Sequence, residues 1–247
     1  MQPKGLIDYT QPLVAAATLL GFAILLSATI GAYAAYKIKV ASNAIEVTGS
    51  AKESVVSDFA RWTINLDTKT GMEGQQQGLD RLDAAAKRIV AYLEKQGLNE
   101  IETPAPSSNP DYTYPERSAP VQVGYTVSRQ IIVRSAEVDT LTELSGNLSP
   151  LTGPSYNVIS NGLELTYQKL PEKRIKLLSE AIKDAKARAD AIAKETGRSV
   201  GALRSASGGV VQVLPQGGVD ISDYGSYDTQ SKNKDVMVTV RASFTIN

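Results

Sequence analysis

Two long amphipathic helical stretches, Gly74 to Gln96 and Pro171 to Gly197, restrict this chain more than any other feature. In the first, Leu79, Leu82, Ala86, Ile89 and Leu93 recur at alternating spacings of three and four, and Gly97 follows. In the second, Ile175, Leu178, Ile182, Ala185, Ala189 and Ile192 repeat the spacing, Pro171 suits the first turn, and Gly197 closes it. Such spacing draws one apolar stripe along each helix, and a glycine past the last turn is a stop signal. The second stripe is narrow and rich in alanine. That favours a core helix packed closely on a sheet or on another helix over one that binds a partner.

The flanking segments alternate as strands do. Ala60, Trp62, Ile64 and Leu66 point one way, with Arg61, Thr63, Asn65 and Asp67 opposite, so the single Trp reads as core. Val121, Val123, Tyr125, Val127, Ile131 and Val133 share a face that Arg129 interrupts, which puts Arg129 near an edge or end of a sheet. Tyr156 to Tyr167 is β-like with a kink at Asn161-Gly162, and Glu137 to Leu148 is a shorter helix. Val200 to Ser205 and Val210 to Leu214 are two short strands, and Val236 to Ile246 is the clearest strand of all. Pro104 to Pro120, with five prolines, and Pro215 to Lys234, rich in Gly, Ser, Asp and Tyr, read as long loops.

In this layout the chain repeats a β-α-β-β pattern, residues 45–135 and then 136–247, the second with an extra short helix. The expected fold class is α+β, each helix covering one face of its sheet in two layers. The two loops fall at corresponding places and carry Tyr112 and Tyr114 in one, Tyr224 and Tyr227 in the other. They are either mobile hairpin connections or interface loops, since tyrosine suits contact surfaces.

A polar N-terminus, residues 1–12, precedes an uncharged run from Leu13 to Tyr36, long enough as a helix to cross a bilayer. Tyr33 and Tyr36 suit an interface, and Lys37 and Lys39 open a connector of residues 37–44. The run is a retained anchor or a cleaved signal peptide, for Ala32-Tyr33-Ala34 resembles a cleavage site; its length favours the anchor. Lys4 against Lys37 and Lys39 slightly favours a cytoplasmic C-terminal domain. Ala23, Ser27, Gly31 and Ala35, four apart, form a small-residue face suited to packing between membrane helices.

Without cysteine or histidine, thiol nucleophiles, disulfides, Ser-His-Asp triads and the usual zinc sites are excluded. Acidic and basic residues balance at 26 each and no basic patch is interleaved with aromatics, so nucleic acid is not an expected partner. Asp220, Ser222, Asp223 and Asp228 could offer oxygens to Ca²⁺, but the spacing fits no EF-hand and an exposed polar loop explains them better. Ser207-Gly208-Gly209 and Gln216-Gly217-Gly218 lack a following helix or P-loop lysine. Glu180, Asp184 and Glu195 suit solvated ion pairs rather than acid–base work. No catalytic residue, cofactor site or metal site is expected, and the chain is not read as an enzyme.

Ile45-Glu46-Val47-Thr48-Gly49-Ser50-Ala51 with Asp58, Gly124-Tyr125-Thr126-Val127-Ser128, and Ala181 to Leu203 resemble segments of the SIMPL-domain family. The helical segment, an Ala/Arg/Lys helix with a Gly and a Val-Gly turn behind it, is the most specific of these. The resemblance implies an α+β bacterial envelope protein, periplasmic or outer-membrane associated, that forms homo-oligomeric ring-like or channel-like assemblies with links to oxidative-stress defence. It implies no catalytic residue. It also overrides the lysine count and puts the domain outside the cytoplasmic membrane. The expected partners are copies of the chain, the lipid bilayer and an envelope protein; a ligand-binding periplasmic module using the tyrosine loops is the alternative.

Overall fold

The computed structural model describes residues 10–41, 43–116, 119–220 and 222–247. Residues 1–9, with Lys4, and Arg117 of the proline-rich segment lie outside the described residues. Helix α1 spans Thr10–Ala41, so it runs through most of the stretch expected as connector. The other helices are α2 (Gln75–Lys95), α3 (Val138–Gly146) and α4 (Leu170–Glu195). The strands are β1 (Ala44–Val56), β2 (Phe59–Thr70), β3 (Glu100–Glu102), β4 (Ser107–Thr113) and β5 (Val121–Ser135), then β6 (Asn157–Thr166), β7 (Val200–Pro215), β8 (Ser226–Tyr227) and β9 (Asn233–Ile246).

One sheet has the order β3-β5-β2-β6, with β4 pairing β5; the other has the order β1-β9-β7-β8. The α+β class holds, but sheet membership does not follow the division after residue 135. Strand β6 joins β2 of the first half, while β1 takes the place beside β9 that β6 would hold in a free-standing second repeat. By contacts the chain falls into two units, Met1–Gly49 with Ile182–Gly208 and Val240–Asn247, and Ser50–Ala181 with Gly209–Thr239.

In the second unit, α2 covers one face of the five-stranded sheet. Leu82, Ala86, Ile89 and Leu93 meet Ala60, Trp62, Ile64 and Leu66 of β2 and Val127, Ile131 and Val133 of β5, all buried. The indole Nε1 of Trp62 donates to Ser160 Oγ at 2.9 Å, so burial leaves its polar atom satisfied. The β2–β6 register slips between Trp62 and Ile64, where Asn161 and Gly162 bulge out, and Gly162 has φ +82°. The first half of α4 packs Leu177 and Leu178 on Val213, Val236 and Val238.

Both long helices end alike. Leu98 N–H reaches Leu93 O at 3.2 Å and Gly97 N–H reaches Glu94 O at 2.9 Å. Likewise Arg198 N–H bonds Ala193 O and Gly197 N–H bonds Lys194 O. The glycines take φ +88° and +67°, completing a Schellman closure in each case.

Three details differ from the sequence reading. The buried line of α4 is Leu177, Ala181, Ala185, Ala189 and Ala193, whereas Ile175 is 72% exposed and Ile192 50%. The smallest side chains take the buried line, and these two isoleucines face outward. The proline-rich segment contains a regular element after all, because β4 pairs antiparallel with β5 and places Pro110 opposite Tyr125. An edge strand tolerates a residue without an N–H, as its outer side needs no partner. Val200 to Leu214 is one strand, not two.

Candidate functional site

The face of the five-stranded sheet away from α2 is polar by alternation, since the odd residues of β2 point there. Registers align its side chains in rungs. Asn65 lies between Gln130 of β5 and Ile159 of β6; Asp67 lies between Ser128 and Asn157, and Ser128 in turn faces Ser107 of β4. Between β3, which pairs residues 132–134, and β4, which pairs residues 121–128, β5 has no partner on that side among the described residues. Pro104 and Ala105 bridge this gap and wall a cleft of about 490 Å³ over the rungs. Asp67 accepts from Asn157 Nδ2 at 2.9 Å, and Thr126 Oγ1 donates to the Asp111 carboxylate at 2.7 Å. Asn65 Oδ1 is shielded from solvent with no donor.

Arg129 sits on the opposite, helix-facing side of that same gap, which is the sheet-edge position its polarity implied. Its Nη1 lies 3.2 Å from Asp83 Oδ1 on α2, while its Nε is buried without a partner.

A charged network anchors the loop between β7 and β9. The Lys234 side chain is 0% exposed; its Nζ donates to Asp228 O at 2.6 Å and lies 3.3 Å from Asp228 Oδ2. Burial pushes the Lys234 ammonium below the ordinary lysine value, offset in part by Asp228. Burial also works against the Asp228 charge, but N–H donation from Gln230 and Ser231, together with Lys234, outweighs it and holds that carboxyl below its usual value. Beside them Asp235 accepts from Ser54 Oγ at 2.7 Å, Gly217 N at 2.9 Å and Lys52 Nζ at 3.0 Å. The Ser54 hydroxyl, then the Gly217 amide, then Lys52 pull its pKa from 3.8 to about 2. Lys173 and Lys176 likewise hold Glu53 below the usual range.

Backbone bonds beside this network hold the second tyrosine loop in place. The β7–β9 loop is tied down by Leu165 N to Thr229 O at 2.7 Å, Asp228 N to Val213 O at 2.8 Å and Ser57 N to Lys232 O at 2.8 Å. Tyr227 accepts from Tyr167 N at 2.9 Å and belongs to that scaffold. Tyr224 is 96% exposed and Tyr114 76%, and Tyr112 sits on β4, about half-exposed. The Asp228 carboxylate is turned inward, away from any site shared with Asp220 and Asp223, and no three acidic side chains converge among the described residues. On the surface of α4, Asp184 pairs with Arg188 at 2.8 Å and Glu180 with Lys176 at 4.0 Å.

Sequence reading missed the Asn65–Gln130 rungs, because their meaning depends on strand register. It also missed Lys234 and Asp235, although two adjacent charges opening an apolar strand were a usable signal.

Together these features define a two-sheet α+β protein with a long apolar helix near its N-terminus. The chain matches the SIMPL family model, described as a protein of unknown function (DUF541), over residues 45–244, and it belongs to that family. The match begins at β1, just past α1. No curated protein matches the chain.

Proposed function

We propose that this protein is a membrane-anchored, envelope-facing SIMPL-domain protein that self-assembles into a homo-oligomer, ring-, cage- or channel-like, with a scaffold or envelope stress-defence role and no bond-making chemistry of its own. The observation that carries the reading is α1. Its segment Ala16–Lys37 is long and apolar enough to cross a membrane, and its most apolar window is 0% buried. An apolar rod that its own protein leaves uncovered is stable when lipid or other copies surround it.

Self-assembly draws support from two further features. Ala23, Ser27, Gly31 and Ala35 form a low face on α1; the Ser27 hydroxyl donates to Ala23 O at 2.7 Å, and a side chain at Gly31 would meet nothing within 4 Å. Residues 202–208 of β7 are exposed, and on the outer side of that strand β8 pairs only with Gln212 and Val213. Unpaired strand edges are templates for another chain.

The full chain in a mild detergent, at micromolar concentration, is expected to show a multiple of 26.4 kDa after detergent correction. A monomer mass there overturns the assembly reading. For placement, a reporter fused after Asn247 that works only in the cytoplasm overturns the envelope-facing reading. The exposure of Tyr114 and Tyr224 favours one second reading, a periplasmic module whose loops capture a partner or ligand. It gains if the protein is monomeric and Tyr114→Ser with Tyr224→Ser abolishes capture of an envelope protein.

A further inference from the structure

We infer that the cleft on the open face of the five-stranded sheet is a binding site for a neutral oligosaccharide, a role separate from assembly. Its volume of about 490 Å³ lies within the ordinary range of small-ligand sites. The class of ligand follows from the lining. Asn65, Gln130, Ser107, Ser128 and Thr126 are neutral amides and hydroxyls. Amides and hydroxyls both donate and accept, which matches the hydroxyl groups of a sugar.

No lysine or arginine lines the cleft, so nothing there would compensate a phosphate, sulfate or carboxylate ligand. The one charged lining residue, Asp67, is already held by Asn157 at 2.9 Å, and Asp111 stands next to Thr126. Both would repel an anion. Pro104, Ala105 and the half-exposed Ile159 give the apolar wall on which the C–H face of a pyranose rests. Asn65 adds the independent observation. Its Oδ1 is shut away from water and receives no hydrogen bond, an unfavourable state that ends if the amide turns towards a ligand O–H or N–H. The rungs Asn65–Gln130 and Asp67–Ser128–Ser107 repeat across the sheet, so successive sugar units would meet successive rungs.

The test uses the full chain in a zwitterionic detergent, because glycoside detergents carry the chemistry being tested. Maltotriose and triacetylchitotriose are titrated calorimetrically, with a trigalacturonate of similar size as the anionic control. At least one neutral trisaccharide is expected to bind saturably with Kd near or below about 1 mM, and the anion at least about tenfold more weakly. Asn65→Leu and Gln130→Leu should each weaken binding about tenfold, the value of one lost hydrogen bond of about 1.4 kcal/mol. Gln130 is exposed, so its variant folds even if Asn65→Leu does not. Absence of saturable binding by both neutral sugars, equal binding of the anion, or unchanged affinity in folded Gln130→Leu overturns the inference. The detergent mass is untouched by any of these outcomes, so this inference and the assembly reading fail separately.

Discussion

Removing Asp228 should damage the fold far more than removing the lysine it holds. The Lys234 ammonium is fully enclosed and has two acceptors, the Asp228 carbonyl and carboxylate. Asp228→Ala leaves that charge buried with a single backbone acceptor and also strips the carboxylate from Gln230 N–H at 2.8 Å and Ser231 N–H at 3.2 Å. Breaking a buried pair on one side costs about 3–5 kcal/mol. Lys234→Met is milder, for Asp228 keeps those two N–H donors and the thioether fills the lysine's path; the cost is about 1–2 kcal/mol. The pH dependence has a definite sign. Because the folded-state pKa of Lys234 lies below its unfolded value, the unfolded chain binds more protons in between, and stability rises as pH climbs through that window. Loss of Asp228 lowers the folded value further, so the window widens downwards and Asp228→Ala should recover part of its deficit as pH rises towards the ordinary lysine value. The assay is urea unfolding of the full chain in detergent, followed by the emission of Trp62, the single and buried tryptophan. Equal losses in the two variants, or an Asp228→Ala deficit that does not shrink with rising pH, refute the reasoning.

Asp235→Asn should cost about 2 kcal/mol at pH 7, the free energy of a pKa held at about 2 against 3.8. That stabilisation is complete above the unfolded value and fades as pH falls towards 2, so urea midpoints of variant and parent should converge there. Gly124→Ala would put a methyl 1.9 Å from the Thr70 carbonyl oxygen and should lose about 3 kcal/mol or more in thermal unfolding. Gly97→Ala meets no neighbour and suffers only from its φ of +88°, about 1 kcal/mol. Tyr114→Ser with Tyr224→Ser should leave the melting temperature unchanged, since both rings are exposed, while lowering the assembled mass.

What was legible in the sequence was local. The alternation of Ala60 to Leu66 told which face of β2 is buried, and Gly97 and Gly197 marked the helix ends to within two residues. The bulge at Asn161-Gly162 and the broken edge beside Arg129 were also readable. What failed depended on partners far along the chain. The buried face of α4 is chosen by what packs against it, and there alanines lie inside while Ile175 and Ile192 lie outside. Pro110 is acceptable in β4 because of β5, and the Asn65 rungs exist through register alone. The exchange of β1 and β6 between sheets leaves no mark on hydrophobic pattern, since either strand would alternate the same way in either place.

The join between α1 and β1 sets how far this protein can act. Helix α1 ends at Ala41 and β1 begins at Ala44, leaving two residues between rod and sheet, about 7 Å of chain at full stretch. With α1 in lipid, so short a link holds the first residues of β1 close to the end of the rod. Whatever meets that end of β1 must then come to the bilayer surface.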